Sequence, residues 1–444
     1  MRFTSFSGFL RITLVLVFMA GYVFAAENVS VGGYSFWQFG QIVKGYDRQQ
    51  GDIAHQWQNN VLIGLTIKAR PSERLNLVIN PEFYLNYAFP QKQGMPDAAH
   101  PFGFAYIYEA CGTYSFGDLE KPLLQASLGM FPFKYNHESR NLGDYLFRTG
   151  TYPTYIINNF DFPAARLLGL HVSSDAIANL HADLLLTSEA FVFPLWDFSL
   201  TGIVSYKLFN AVEVGAGVDF ARCLPVMDSL TMPKWKAANG GYYNSYITQS
   251  GDTAFYSFKA TKVMARATID PKPFLGSLAE LFGSEDLKLY GEICWVGVEG
   301  YNAKDVFDSV NMNSYHAWYN NLNERTPRMV GFNFPAFRIL DVLSGELEYF
   351  PSVIPNDWYN IEYSQSPMPY MPGGYNSYDK ELYNKGSWRW SVYAKKMVVQ
   401  GFSVTGEAAF DHMRTTIVNG ATQYYETMTE KGHWHWKLKF GYSF

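Results

Sequence analysis

The sequence predicts an all-β fold: a transmembrane, up-and-down antiparallel β-barrel of about 16 strands, with short turns on one side and long loops on the other. Three observations predict it. Apolar and polar residues alternate with a period of two in segment after segment, as strands with one apolar and one polar face require. Aromatic residues make up 18% of the chain, against 17% charged, and they gather at the ends of the alternating segments, where a lipid-facing barrel carries its girdles. The connections between segments also alternate in length.

The chain opens with a leader. Arg2 and Arg11 flank an apolar run over 12–20, and Val23, Phe24 and Ala25 fit a small-x-Ala cleavage site. Residues 1–25 therefore read as a secretory signal peptide. The run is too short to anchor a helix in a bilayer, and no Cys follows the cleavage site to accept lipid. Residues 26–444 read as a single barrel domain. Both leader arginines are lost on cleavage, so 33 Lys and Arg face 40 Asp and Glu, a formal charge of −7. No later segment approaches the roughly 20 apolar residues of a membrane helix. Cys111, Cys223 and Cys294 are odd in number and widely spaced, which excludes a disulfide framework.

Strands are expected at 29–41, 56–68, 74–87, 103–116, 123–134, 164–173, 179–189, 197–208, 211–222, 254–269, 286–299, 328–336, 343–351, 387–398, 402–414 and 432–444. Their faces are legible. Val61, Ile63, Leu65 and Ile67 share one face of the second segment, opposite Gly64, Thr66 and Lys68, with Leu62 as an exception. In the fourth, Tyr106, Tyr108, Ala110, Gly112, Tyr114 and Phe116 oppose Glu109, Thr113 and Ser115. In the eighth, Leu200, Val204 and Tyr206 oppose Ser199, Thr201, Ser205 and Lys207. Aromatic ends around small or aliphatic middles distinguish these faces from the interior of a soluble sandwich. The short connections are periplasmic turns if the first strand leaves the periplasm, and every long one, 88–102, 135–163, 223–253, 300–327, 352–386 and 415–431, then falls outside. Residues 271–286 are expected to form a short amphipathic helix at the inner rim, and 337–343 a helical turn.

The chain ends on HWHWKLKFGYSF, with Trp434, Trp436, Leu438, Phe440, Tyr442 and Phe444 alternating with polar or small residues. A terminal strand that pairs with the first abolishes the open edge. This ending resembles the C-terminal strand of Gram-negative outer-membrane barrels, and Phe440, Tyr442 and Phe444 match the signal that the barrel-assembly machinery reads in that family. The overall plan resembles the porins of about sixteen strands. The resemblance implies an outer-membrane location, a lipid-bilayer environment, a homotrimer, and a third external loop folded into the lumen. That loop is 135–163 here, and His137, Glu138, Arg140, Asp144, Arg148 and Asp161 are its candidate constriction residues. Mixed charges across a narrow channel set ion preference. A lid over the barrel mouth is an equally available arrangement for the same residues.

The polar faces give candidate lumen-wall residues: Glu82, Glu109, Asp183, Glu213, Asp219, Glu292, Glu346, Glu348, Glu407 and Asp411, against Lys68, Lys207, Arg389, Lys395, Lys437 and Lys439. The acidic excess predicts a slight cation preference. No catalytic residue, cofactor or metal is expected. Asp411 and His412 are strand neighbours and point to opposite faces. His181 and Asp183 share a face, as do His433 and His435, but no third metal ligand is evident in sequence. The acidic charge disfavours nucleic acid. The expected function is passive diffusion of small hydrophilic solutes. The rivals are a non-conducting barrel whose Tyr- and Trp-dense loops, 315–321 and 349–388, bind glycan or a protein partner, and a specific sugar or fatty-acid transporter.

Overall fold

The computed structural model describes residues 28–47, 51–88, 102–147, 165–189, 198–224, 245–247, 253–255, 260–296, 322–351, 387–411, 428 and 430–444. Residues 1–27 and most of the long connections lie outside these. Sixteen antiparallel strands close on themselves. In chain order they are β1 Val29–Lys44, β2 Trp57–Ser72, β3 Leu75–Ala88, β4 Phe102–Gly117, β5 Pro122–Phe133, β6 Ala165–Ser174, β7 Leu180–Glu189 and β8 Phe198–Leu208. Then follow β9 Val212–Leu224, β10 Ala260–Ile269, β11 Leu289–Trp295, β12 Arg328–Asn333, β13 Val342–Phe350, β14 Ser387–Val399, β15 Phe402–Phe410 and β16 Trp434–Ser443. Each pairs with its sequence neighbours, and β1 pairs with both β2 and β16.

Closure at the seam uses the last residue. Gly33 N donates to Phe444 O at 3.0 Å and Phe444 N donates back to Gly33 O at 2.9 Å. A side chain on Gly33 would meet the Phe444 ring at 2.7 Å, so glycine is what lets that ring lie against the first strand. No edge is left for another chain to pair with.

The outer face is apolar as the alternation required. Ile63, Leu65, Leu128, Leu184, Val204, Val214, Val330, Leu347 and Val392 are all exposed on it. In a bilayer they meet lipid; with each strand paired to both neighbours around the ring, the wall can cross hydrocarbon. At the seam this surface is aromatic: Trp37 stacks on Phe440 at 5.8 Å, and Tyr442 on Phe444 at 6.1 Å.

One face assignment is corrected. Register slips between the pairs Asn80↔Glu109 and Pro81↔Ile107, which leaves Tyr108 as the extra residue of a bulge. Pro81 has no N–H to offer the ladder. The bulge flips the upper part of β4, so Tyr106 stands opposite Glu82 on the inner face. Tyr106 and Tyr108 both pack under Arg166, at 4.4 and 4.8 Å, instead of joining Tyr114 and Phe116 outside.

Other departures are local. The segment expected at 254–269 is a strand from Ala260, while Thr253–Phe255 joins Ser245–Ile247 in a separate small hairpin. The strand expected at 286–299 is only Leu289–Trp295. Residues 271–286 form two 3-10 turns, Lys272–Phe274 and Gly276–Leu281, instead of an amphipathic helix. Pro271, Pro273 and Gly276, the last at φ +55°, break the run. Of the 337–343 stretch, 337–341 is a tight turn with Phe337 and Arg338 at positive φ, and Val342 already opens β13.

Candidate functional site

After β5 the chain turns inward. Lys134 Nζ donates to Ser139 O at 2.7 Å and pairs with Asp144 at 3.1 Å. Asn136 N and Ser139 Oγ donate to the two oxygens of Asp144, at 3.1 and 3.0 Å. These contacts tie 134–144 into a compact knot. A 3-10 turn, Tyr145–Phe147, follows, and all three of its residues are buried.

The knot is gripped by the far wall. Glu292 on β11 accepts from Tyr135 Oη at 2.5 Å, Asn136 Nδ2 at 2.8 Å, Asp144 N at 3.0 Å and Tyr145 N at 2.8 Å. Glu346 on β13 accepts from three successive backbone amides, Arg140, Asn141 and Leu142, and from Tyr290 Oη at 2.9 Å. Tyr145 Oη donates to Glu348 at 2.8 Å. Asn141 Nδ2 reaches Ser391 at 3.3 Å on β14, Glu407 at 3.3 Å on β15 and Asp411 at 2.7 Å. In a ring of sixteen, β13 stands eight strands from β5, directly across it. The segment therefore crosses the barrel interior. Buried carboxylates are costly unless paired, and here oriented amides and phenols supply that pairing.

An apolar core lies beside these contacts. Leu142, Tyr145, Leu146 and Phe147 of the segment pack with Phe131, Leu167, Leu185, Ile203, Met264, Cys294 and Met329 of the wall. The inner face between β5 and β12 thus carries a dry apolar patch among its charged residues. The signal was present in runs such as "ADLLLT" and "TKVMARA", where the polar face carries an apolar residue, Leu185 or Met264, between its polar ones.

Among the expected loop residues, Asp144 lies within the knot, and Glu138 pairs with Lys288 at 3.0 Å. Arg140 pairs with Glu285 at 2.7 Å, and Glu285 with Lys288 at 2.9 Å, a chain of charges joining the segment to the turn before β11. Burial works against the Lys288 charge, but the bonds and charges of Glu285 and Glu138 outweigh it and raise its pKa. Burial, followed by the Arg266 charge, holds His137 below the ordinary imidazole range. Arg148 and Asp161 lie outside the described residues, as do the aromatic stretches 315–321 and 352–386.

The expected wall residues divide into groups. Glu82 accepts from Tyr34 Oη, and Glu109 from the Cys111 thiol at 3.4 Å. Asp183 sits between His171 and His181, at 2.8 and 3.0 Å. Glu213 pairs with Arg266 at 2.6 Å. Asp219 accepts from Thr201 at 2.9 Å and faces Lys262 at 3.6 Å. Arg389 lies 4.3 Å over the Phe410 ring and Lys439 4.3 Å over Phe36; Lys437 stands opposite Glu407 in the ladder. Sequence reading missed Arg166, Lys262 and Arg266 as inward cations. Lys262 also holds the segment, donating to Leu146 O at 2.7 Å. These additions reduce the expected acidic excess. His433 and His435 do not form a pair: His433 turns to Glu430 at 3.7 Å, while His435 meets Glu407 and Asp411, at 3.4 and 3.6 Å.

With this geometry established, solved structures provide a comparison. A mutant of the Rh. blastica porin covers 94% of this chain and 100% of its own, at 7% identity and TM-score 0.41. Salmonella typhi OmpF in complex with daunomycin covers 94% of this chain and 98% of its own, at 11% identity and TM-score 0.45. No protein-family model matches the chain, and no curated protein matches it in sequence. By its topology the chain is a closed, porin-like barrel of sixteen antiparallel strands.

Proposed function

We propose that the chain is an outer-membrane channel through which small hydrophilic solutes or ions diffuse passively, selected by lumen width and wall charge. The observation that carries this reading is the segment 134–147, which is held across the barrel interior by carboxylates of the opposite wall. A segment so placed narrows the lumen, and charged groups line the inner face beside it, Lys437, Lys439 and Arg389 among them. Mechanistically, solutes pass the segment according to size, and the field between opposed charges sorts ions. There is no turnover. Export by the 1–25 leader, recognition of Phe440, Tyr442 and Phe444 by the barrel-assembly machinery, and a homotrimer belong to the same proposal.

Planar-bilayer recording of the purified mature chain tests the function. Stable, ohmic current steps are expected, with an ion preference that varies with wall charge. A folded barrel that inserts and stays silent would overturn the channel and favour a barrel that works through its loops. Current blocked saturably by one sugar or fatty acid would favour a specific transporter.

A further inference from the structure

Glu407, Asp411 and His435 meet inside the wall beneath the tip of the crossing segment. Glu407 and Asp411 flank Ala409 on one strand and its end, and His435 stands opposite Ala409 in the neighbouring strand. Ala409 is too short to fill the space between the two carboxylates, and the imidazole lies there. One donor atom from each of the three residues falls within 4.8 Å of the other two, and all three residues are buried. His435 is 1% exposed, yet neither of its ring nitrogens has a hydrogen-bond partner. Its nitrogens stand 3.4 Å from Glu407 and 3.6 Å from Asp411, wider than the roughly 2.7–3.2 Å of a good N–H to oxygen bond. The spacing from Nε2 to Glu407 matches the edge of a tetrahedron with metal–ligand bonds of about 2.0–2.1 Å, close to 3.4 Å; an ion takes one imidazole nitrogen, and the Asp411 carboxylate completes the set from within 4.8 Å of the other two donor atoms.

We propose that Glu407, Asp411 and His435 bind a divalent transition cation, with the side-chain amide oxygen of Asn141 as the fourth ligand. Asn141 already points its amide between the two carboxylates, at 2.7 Å from Asp411 and 3.3 Å from Glu407. Rotating that amide presents oxygen in place of nitrogen, since its two ends are close in shape. One imidazole and two carboxylates suit zinc, manganese or cobalt, and the nitrogen disfavours magnesium and calcium. Two carboxylates balance the charge of the ion. Lys437, opposite Glu407 in the ladder, competes for that carboxylate and keeps affinity moderate. Because Asn141 belongs to the crossing segment, the ion pins that segment to β15 and β16. The site stands on these contacts whether or not the barrel conducts.

The test uses the untagged mature chain, folded in detergent and stripped with chelator, titrated with Zn²⁺ by calorimetry. One equivalent is expected to bind, with excess Ca²⁺ or Mg²⁺ unable to compete. His435→Gln and Glu407→Gln should each weaken binding about tenfold or more, and His433→Gln should not. Folding of each variant is checked by its heat-modifiable gel mobility. Co²⁺ added to the unsubstituted chain gives an arm independent of variants: visible absorption of a four-coordinate nitrogen–oxygen site is expected. Absence of stoichiometric Zn²⁺ binding, affinity unchanged in folded His435→Gln, or a Co²⁺ spectrum no different from the aqueous ion would each overturn the site.

Discussion

Removing the Glu292 carboxylate should free the crossing segment while leaving the barrel closed. Glu292 is 3% exposed and accepts four donors of the segment: Tyr135 Oη, Asn136 Nδ2, and the amides of Asp144 and Tyr145. Glu292→Ala leaves those donors without their acceptor in a space closed to water. Each orphan costs about 1–3 kcal/mol, but the four share one acceptor and relax together. Loss of one member of a buried charged cluster, about 3–5 kcal/mol, is the better guide. At about 1.4 kcal/mol per tenfold, the docking equilibrium constant falls by at least about two orders of magnitude. Glu292→Gln keeps the shape and one acceptor oxygen but turns a donor toward the amides, so its effect should be intermediate. Closure does not depend on Glu292, since β1 and β16 pair far from it around the ring. In planar bilayers, Glu292→Ala should show larger and noisier current steps, while the folded band on gels is retained. Conductance and noise equal to those of the unsubstituted chain would refute the idea that this carboxylate holds the segment.

Three further outcomes follow from the same contacts. Gly143 lies between the two anchors at φ +93°, and an added Cβ would stand 3.2 Å from Glu292; Gly143→Ala should weaken docking by about 1–2 kcal/mol, read as a smaller shift of the same kind. His137 has its pKa lowered by burial and then by Arg266, so the undocked segment takes the proton more readily. Docking is then fully favoured above the ordinary value of 6.5 and weakens as pH falls through the lowered one; channel noise should rise on acidification, and His137→Gln should abolish that rise. Deleting Phe444 removes both backbone bonds to Gly33 and should lower the yield of heat-modifiable barrel in refolding and export assays.

The wall was legible because its period is local. Alternation over about ten residues places a strand whatever its partners, and the sixteen expected segments all correspond to barrel strands, with boundaries shifting most in the tenth and eleventh. Faces failed where the ladder slips. Nothing in FAYIYEACGTYSF announces the extra residue at Tyr108; the cause is Pro81 on the neighbouring strand, which lacks an N–H. The crossing of 134–147 was open for another reason. Its anchors are backbone amides of Arg140, Asn141 and Leu142 received by Glu346, some two hundred residues away. Backbone donors leave no trace in residue type, so Glu292 and Glu346 read as generic wall acids. The meeting of Glu407, Asp411 and His435 likewise depends on a cross-strand register that a His-x-His search cannot see. An apolar YLF following NLGD, in a loop where solvent would favour polar groups, was the one local sign that the segment ends in a core.

Cross-linking between the segment and the opposite wall tests the central claim most directly. In a chain freed of its three cysteines, Asn141→Cys and Ser391→Cys place thiols where the native side chains lie 3.3 Å apart. Mild oxidation of the folded barrel with copper–phenanthroline should join them as a disulfide in high yield, an intramolecular product whose gel shift reductant reverses. A folded barrel in which these thiols react separately and never join would contradict a segment that spans the lumen.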